Sequence, residues 1–155
     1  MRTGIDIDYL QIAIEHARRP DDWPLAPRFD PANRWYHRLA ESDGFEIWLL
    51  TWLPGQGTEL HDHGGSAGAF TIVSGLLTEE TLVDATGRPV LQGRAYAQGE
   101  GRAFGPYHVH RITNLSRGPA VSVHVYGPAL RSMTRYRIEN EELLTMTIER
   151  EGVDW

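Results

Sequence analysis

His61-Asp62-His63 is the sharpest chemical feature of this sequence, because a His-x-His pair on an extended strand turns both imidazoles to one face, where they can share a metal ion. A second pair, His108-Val109-His110, stands in another run of strand character, so a third imidazole is available from either His108 or His110. Two such pairs among seven histidines favour a metal site over hydrogen-bonded or surface histidines. Imidazole suits zinc, copper, iron and nickel alike, so ligand type alone leaves the metal open. Three protein ligands leave coordination positions for substrates. The chain has no cysteine, which excludes disulfides, thiolate ligands and a cysteine nucleophile. Chemistry falls to histidine, carboxylate, hydroxyl or a bound cofactor.

These residues need strands to hold them, and the sequence supplies strand-like runs. Trp35–Leu39, Phe45–Leu53, Ala69–Val73, Leu76–Val83, Gly93–Ala97, His108–Asn114, Ala120–Tyr126 and Met133–Ile138 are rich in β-branched and aromatic residues and are separated by Gly or Pro. Such spacing predicts an all-β sandwich or barrel. Phe45–Leu53 is almost continuously apolar and is expected to be buried on both faces. Val121, Val123 and Val125 alternate with Ser122, His124 and Tyr126, which places three polar side chains on one face. Trp48 and Trp52 share parity with Glu46 and Leu50 and are read as core. Ahead of the barrel, apolar residues recur at helical steps from Asp6 to Arg18, with Asp6 or Asp8 as N-cap. Pro20 to Pro31 holds four prolines and reads as a connector. Glu139–Trp155 is expected to add a closing turn and strand.

At 155 residues and 41% hydrophobic, the chain is the size of one domain, expected to span residues 1–155: helix and connector over 1–33, barrel over about 34–138 and closing segment over 139–155. The net charge of −6 comes from scattered acids without a block of like sign, which points away from nucleic acid and anionic membranes as partners. No apolar run approaches the roughly 20 residues of a spanning helix. The N-terminus lacks the layout of a signal peptide. A soluble, cytoplasmic, monomeric chain is expected.

The first histidine pair lies in Gly55-x5-His61-x-His63-x4-Gly68-x6-Gly75, and the second in Gly99-x5-Gly105-x4-His110-x3-Asn114. Both spacings resemble the two cupin motifs, which implies a cupin double-stranded β-helix, a jelly-roll barrel, with an N-terminal helix. Most cupins carry a glutamate ligand where Gly68 stands. The cupins that lack it, and whose second motif reads His-Arg-x-x-Asn, are thiol dioxygenases. Tyr36-His37-Arg38, His61-Asp62-His63, His110-Arg111-Ile112-Thr113-Asn114 and Pro119-Ala120-Val121-Ser122-Val123-His124-Val125-Tyr126-Gly127-Pro128 resemble the cysteine dioxygenase type I family. The likeness runs from about Tyr36 to Tyr136.

That resemblance implies an enzyme that oxidises L-cysteine to cysteine sulfinic acid with dioxygen, using Fe(II) held by His61, His63 and His110. It also implies a hydrogen-bonded line of Ser122, His124 and Tyr126 serving catalysis. Arg38 would grip the substrate carboxylate through two parallel hydrogen bonds, with Tyr36 and Met133 beside the substrate. Arg38 and Met133 favour cysteine over 3-mercaptopropionate. Animal members crosslink a cysteine at the Gly68 position to the tyrosine matching Tyr126; here no crosslink forms and Tyr126 acts as a free phenol. Gly127-Pro128-Ala129 departs from the usual Ser-Pro-Pro, and the conformation of that turn is left open. Tyr107, His108 and His37 are read first as filling the barrel mouth. The rival readings are another small thiol, a non-catalytic cupin that binds metal or ligand, and last a sugar isomerase with Glu46 or Glu59 as base.

Overall fold

The computed structural model describes residues 6–42, 44–84 and 88–150. Helix α1 spans Tyr9–Ala17, and the Asp8 side chain caps it by accepting the Gln11 N–H at 3.0 Å. Its nine residues fall short of the ~12–15 that persist alone in water, so packing must hold it. The proline-rich stretch contains one 3-10 turn, Pro20–Asp22, and otherwise crosses to the barrel without regular structure.

Eleven strands follow among the described residues: β1 Trp35–Glu41, β2 Glu46–Trp52, β3 Leu60–His61, β4 Ala67–Ser74, β5 Leu76–Asp84, β6 Val90–Ala97, β7 Gly101–Phe104, β8 His110–Thr113, β9 Ala120–Gly127, β10 Ser132–Glu139 and β11 Glu142–Arg150. They form two antiparallel sheets, ordered β1-β2-β9-β4-β7 and β11-β10-β3-β8-β5-β6, and these make the two walls of a double-stranded β-helix. The all-β class with one N-terminal helix is as expected. Strands β3 and β7 have no counterpart among the expected runs, being only two and four residues long. The closing turn and strand appear as Asn140-Glu141, with φ of 50° and 63°, followed by β11. Residues 151–155 of the expected closing segment, and 1–5 of the expected helix segment, lie outside the described residues.

Side-chain alternation on β2 and β9 divides the apolar residues into two clusters. Ile47, Leu49, Val121, Val123 and Val125 face outward and pack with Ala13 of α1. Full burial of each is worth about 1.5–3 kcal/mol, and this layer is what retains the short helix. The opposite faces of β2 and β9 turn inward, where Leu50, Trp52 and Tyr126 join Phe70, Ile72, Leu77, Tyr96, Phe104, Ile112, Leu130 and Met133. β2 is apolar almost throughout because one face meets the helix and the other lines the barrel.

Two glycines are dictated by close approach. A Cβ on Gly68 would collide with the Val125 carbonyl and come within 2.9 Å of the Phe104 ring. A Cβ on Gly127 would strike the Tyr9 ring of α1, so the helix itself explains why the Ser of the usual Ser-Pro-Pro is absent. The Gly127-Pro128 peptide bond is cis.

Candidate metal centre

Strand register brings the three histidines together. His61 on β3 lies opposite His110 on β8, and His63 follows two residues beyond His61. One ring nitrogen from each of His61, His63 and His110 lies within 4.8 Å of the others, and all three side chains are buried. His108 does not join this triangle. Burial, reinforced by the neighbouring imidazoles, holds His61 and His63 well below the usual histidine range. His110 is lowered too, burial outweighing the opposing pull of Glu79. All three are therefore neutral near pH 7, the form in which imidazole binds metal.

The remaining ring nitrogens settle the tautomers. His61 Nδ1–H donates to the Glu59 carbonyl at 2.8 Å, and His110 Nδ1–H donates to Glu79 Oε2 at 2.6 Å, so both rings present Nε2 to the centre. Among the described residues neither nitrogen of His63 has a hydrogen-bond partner, although the ring is fully buried. An unpaired buried polar atom is costly, and a metal ion coordinated here removes that cost. The donor set thus suits a metal cofactor. Phe104 stacks on His63 with centroids 4.7 Å apart, close over Gly68, and fixes the ring's plane.

Glu79 is not marked by any feature of the sequence. It is 2% exposed, and besides His110 it accepts from His108 at 3.1 Å and from Arg102 Nη1 at 3.1 Å. Burial pushes its carboxyl upward, but the hydrogen bonds from His108 and His110 and the positive charge of Arg102 outweigh this and hold it well below the usual range. His108 is thereby a partner of Glu79. Tyr107 is 90% exposed, and His37 stacks on Trp35 at 6.2 Å.

The polar face of β9 forms a continuous chain inside the barrel. Trp52 Nε1–H donates to Ser122 Oγ at 2.9 Å, Ser122 Oγ lies 2.9 Å from His124 Nε2, and His124 Nδ1 lies 3.3 Å from the Tyr126 hydroxyl. Indole can only donate, so Ser122 accepts from Trp52, and the direction of its bond to His124 Nε2 follows the tautomer of that ring. With its proton on Nδ1, His124 donates to the Tyr126 oxygen and leaves the phenol proton available to the cavity. Burial lowers His124 to about 3, so this ring stays neutral. Burial also raises the Tyr126 phenol, which stays protonated.

A cavity adjoins the centre, lined by Tyr36, His61, His110, His124, Tyr126 and Met133 together with Arg34 and Arg135. Its apolar walls are Trp48, Leu50, Trp52, Ile112 and Leu130, so Trp48 and Trp52 serve both core and cavity. Arg38 is not part of the lining. Its side chain is 45% exposed, lies over the Trp48 ring, and pairs with Glu41 Oε2 at 3.4 Å and Glu46 Oε2 at 3.8 Å. The reason is register: Arg34, Tyr36 and Arg38 share a face, but Arg38 stands opposite Trp48 near the carboxylate of Glu46, whereas Arg34 reaches over Trp52 at 5.1 Å. Arg34 precedes the strand and Arg135 sits in a mixed run, so the sequence flags neither. Glu46 is engaged by the Leu130 N–H at 2.8 Å, and among the described residues no carboxylate lines the cavity.

Barrel, buried imidazole triangle and adjoining cavity give the fold and the candidate metal site of the cupin class. The family model for cysteine dioxygenase type I matches residues 1–139, and the chain belongs to that family, which makes it a thiol dioxygenase. It is 30% identical to a cysteine dioxygenase type 1 of Danio rerio over 139 residues, covering 83% of this chain and 69% of the relative. Among solved structures, a Thermus thermophilus protein shares the fold with a TM-score of 0.58 at 21% identity, over 66% of this chain and 90% of its own. A cupin superfamily protein of Desulfitobacterium hafniense superposes with a TM-score of 0.52 at 15% identity, over 64% and 81% of the two chains. Among the described residues no helix is long and apolar enough to cross a membrane.

Proposed function

We propose that this chain is an iron(II) dioxygenase of small thiol carboxylates, with L-cysteine as the reference substrate and cysteine sulfinic acid as its product. The observation that carries this reading is the buried, neutral three-histidine set with an unpartnered His63, opening on a cavity that holds Arg34 and the Tyr126 hydroxyl. A ferrous ion on His61, His63 and His110 would supply the activation of dioxygen beside a bound thiolate.

The chain's own residues do the rest. Arg34 takes the substrate carboxylate, the role first expected of Arg38, because a guanidinium over Trp52 is fixed in orientation and faces the cavity. Tyr36 and Met133 close the sides. Tyr126 donates its hydroxyl proton toward charge that develops on sulfur or oxygen, and the Trp52-Ser122-His124 chain keeps that donor aimed. Apolar walls restrict water. The reaction balances without a further reductant: the thiol sulfur gains two S–O bonds and loses four electrons, the O–O bond is broken by the same four electrons, and the S–H proton is released as the sulfinate ionises.

The test is sulfinate formation by iron-loaded protein supplied with L-cysteine, 3-mercaptopropionate and cysteamine. Oxidation of the two carboxylates with cysteamine far slower supports the reading; equal turnover of cysteamine would remove Arg34 from it.

A further inference from the structure

We infer that His108 is a positioning residue for the metal ligand His110, acting through the carboxylate of Glu79; this rests on the reading of the three-histidine set as the metal centre. The sequence alone gives His108 a place at the barrel mouth, and the structure gives it a fixed one. It lies between β7 and β8, where its own N–H donates to the Gly105 carbonyl at 3.3 Å and the carbonyl of the next residue, Val109, accepts the Leu82 N–H of β5 at 3.0 Å. Tyr107 turns outward, whereas the His108 side chain is 8% exposed. Its ring lies on Phe104 with centroids 5.0 Å apart and planes 16° apart, which fixes where its edge points.

That edge points at Glu79. The two oxygens of Glu79 are shared by three donors: Oε1 accepts from Arg102 Nη1 at 3.1 Å, while Oε2 accepts from His108 at 3.1 Å and from His110 at 2.6 Å. A carboxylate only accepts, so His108 presents Nε2–H to it. The terminal torsion of a glutamate is soft, and a carboxylate held at one oxygen can rotate its plane. Arg102 is 36% exposed and also reaches Thr81 Oγ1 at 3.5 Å, so its hold on Oε1 is the looser one. His108, buried and stacked, pins the oxygen that His110 uses. Two donors on one oxygen also compete, but the bond to His110 is the shorter by half an ångström, so the orienting effect outweighs the competition. With the carboxylate plane set, the Nδ1–H of His110 has one direction, and its Nε2 faces the centre.

Ferrous affinity, measured under nitrogen by competition with a chelator, tests this without turnover. His108→Phe keeps a flat ring against Phe104 and removes the donor; affinity is expected to fall about three- to tenfold, the size of one hydrogen bond. His108→Leu removes the same donor with a smaller side chain and should show the same loss. His108→Gln, whose amide nitrogen can stand where Nε2 stands, should stay within about twofold of the parent protein. In a Glu79→Gln background, His108→Phe should change affinity by less than about twofold, because residues that act through one another are not additive. A loss that His108→Gln does not restore, or that persists undiminished in the Glu79→Gln background, would make His108 a space-filling residue and overturn the inference, as would a gain in affinity once the donor is removed. The expected pattern in a protein that takes up no oxygen with any thiol supports the positioning role and contradicts the dioxygenase reading instead.

Discussion

Glu79 Oε2 accepts the Nδ1–H of His110 at 2.6 Å, which places a buried carboxylate directly behind one of the three metal-binding imidazoles. A carboxylate in this position fixes the ring's tautomer and raises its basicity as a ligand, and loss of such a partner lowers metal affinity by about 10- to 100-fold. Glu79→Gln is therefore expected to weaken ferrous binding by about that factor in competition with a chelator. Unchanged affinity would show that Glu79 serves only to fill space between β5 and β8.

Arg34 and Arg38 separate cleanly in their surroundings, and kinetics should separate them too. Arg34→Gln removes the guanidinium from the cavity and is expected to lower kcat/KM for L-cysteine by about 10- to 100-fold, mainly through KM. Arg38→Gln cuts an exposed pair to Glu41 and a long 3.8 Å contact to the buried Glu46, both away from the cavity lining, and should stay within about twofold of the parent protein. The reverse ranking would restore Arg38 to the carboxylate.

That contrast also shows what can be read from the sequence. The Val121/Ser122 to Val125/Tyr126 alternation is a direct imprint of a strand with a helix on one side and a polar site on the other, so it is legible. The two His-x-His pairs are legible because their spacing survives without knowledge of the fold, while the choice of His110 over His108 comes from the family resemblance. Glu79 is not, because Glu79-Glu80 looks like a solvated charge pair. Only register shows Glu79 turned inward to His110 while Glu80 turns outward to Arg111 at 2.7 Å. Arg34 escapes for a similar reason: it precedes β1, and a strand edge in sequence does not reveal how far a long side chain reaches. Strands β3 and β7 are shorter than the window over which alternation can be recognised.

Gly68 offers a packing test. Gly68→Cys would restore the residue that animal relatives crosslink, yet its Cβ meets the Val125 carbonyl and the Phe104 ring. Overpacking of this kind costs about 1–3 kcal/mol. The variant should melt at lower temperature and show no thioether between the introduced sulfur and Tyr126 by mass spectrometry after turnover. A stable, crosslinked variant would mean that Phe104 yields easily.

The buried histidines give the fold a defined pH response. His61, His63 and His110 are held below the ordinary range by burial, and His124 is lowered to about 3 for the same reason. In the unfolded chain each returns to about 6.5, so below that pH the unfolded state binds protons that the folded state refuses. Their stabilisation is complete above about 6.5 and declines as pH falls below it, for His124 down to about 3, each group adding up to about 1.4 kcal/mol per pH unit. Glu79, also depressed, acts in the same direction at lower pH. The Tm of metal-free protein should fall steadily between pH 7 and pH 4, less steeply in His124→Gln. A Tm independent of pH over that interval would contradict neutral burial.

The central claim is that a thiol and dioxygen react at the three-histidine centre with both oxygen atoms passing to sulfur. An oxygen-electrode trace of iron-loaded protein with thiol carboxylates, followed by mass analysis of the product formed under isotopically labelled dioxygen, tests it most directly. Uptake of one dioxygen per sulfinate, with both labels retained in the product and activity lost in His63→Ala, is the expected result. No uptake with any thiol, or label appearing in water while the thiol is oxidised only to disulfide, would contradict it.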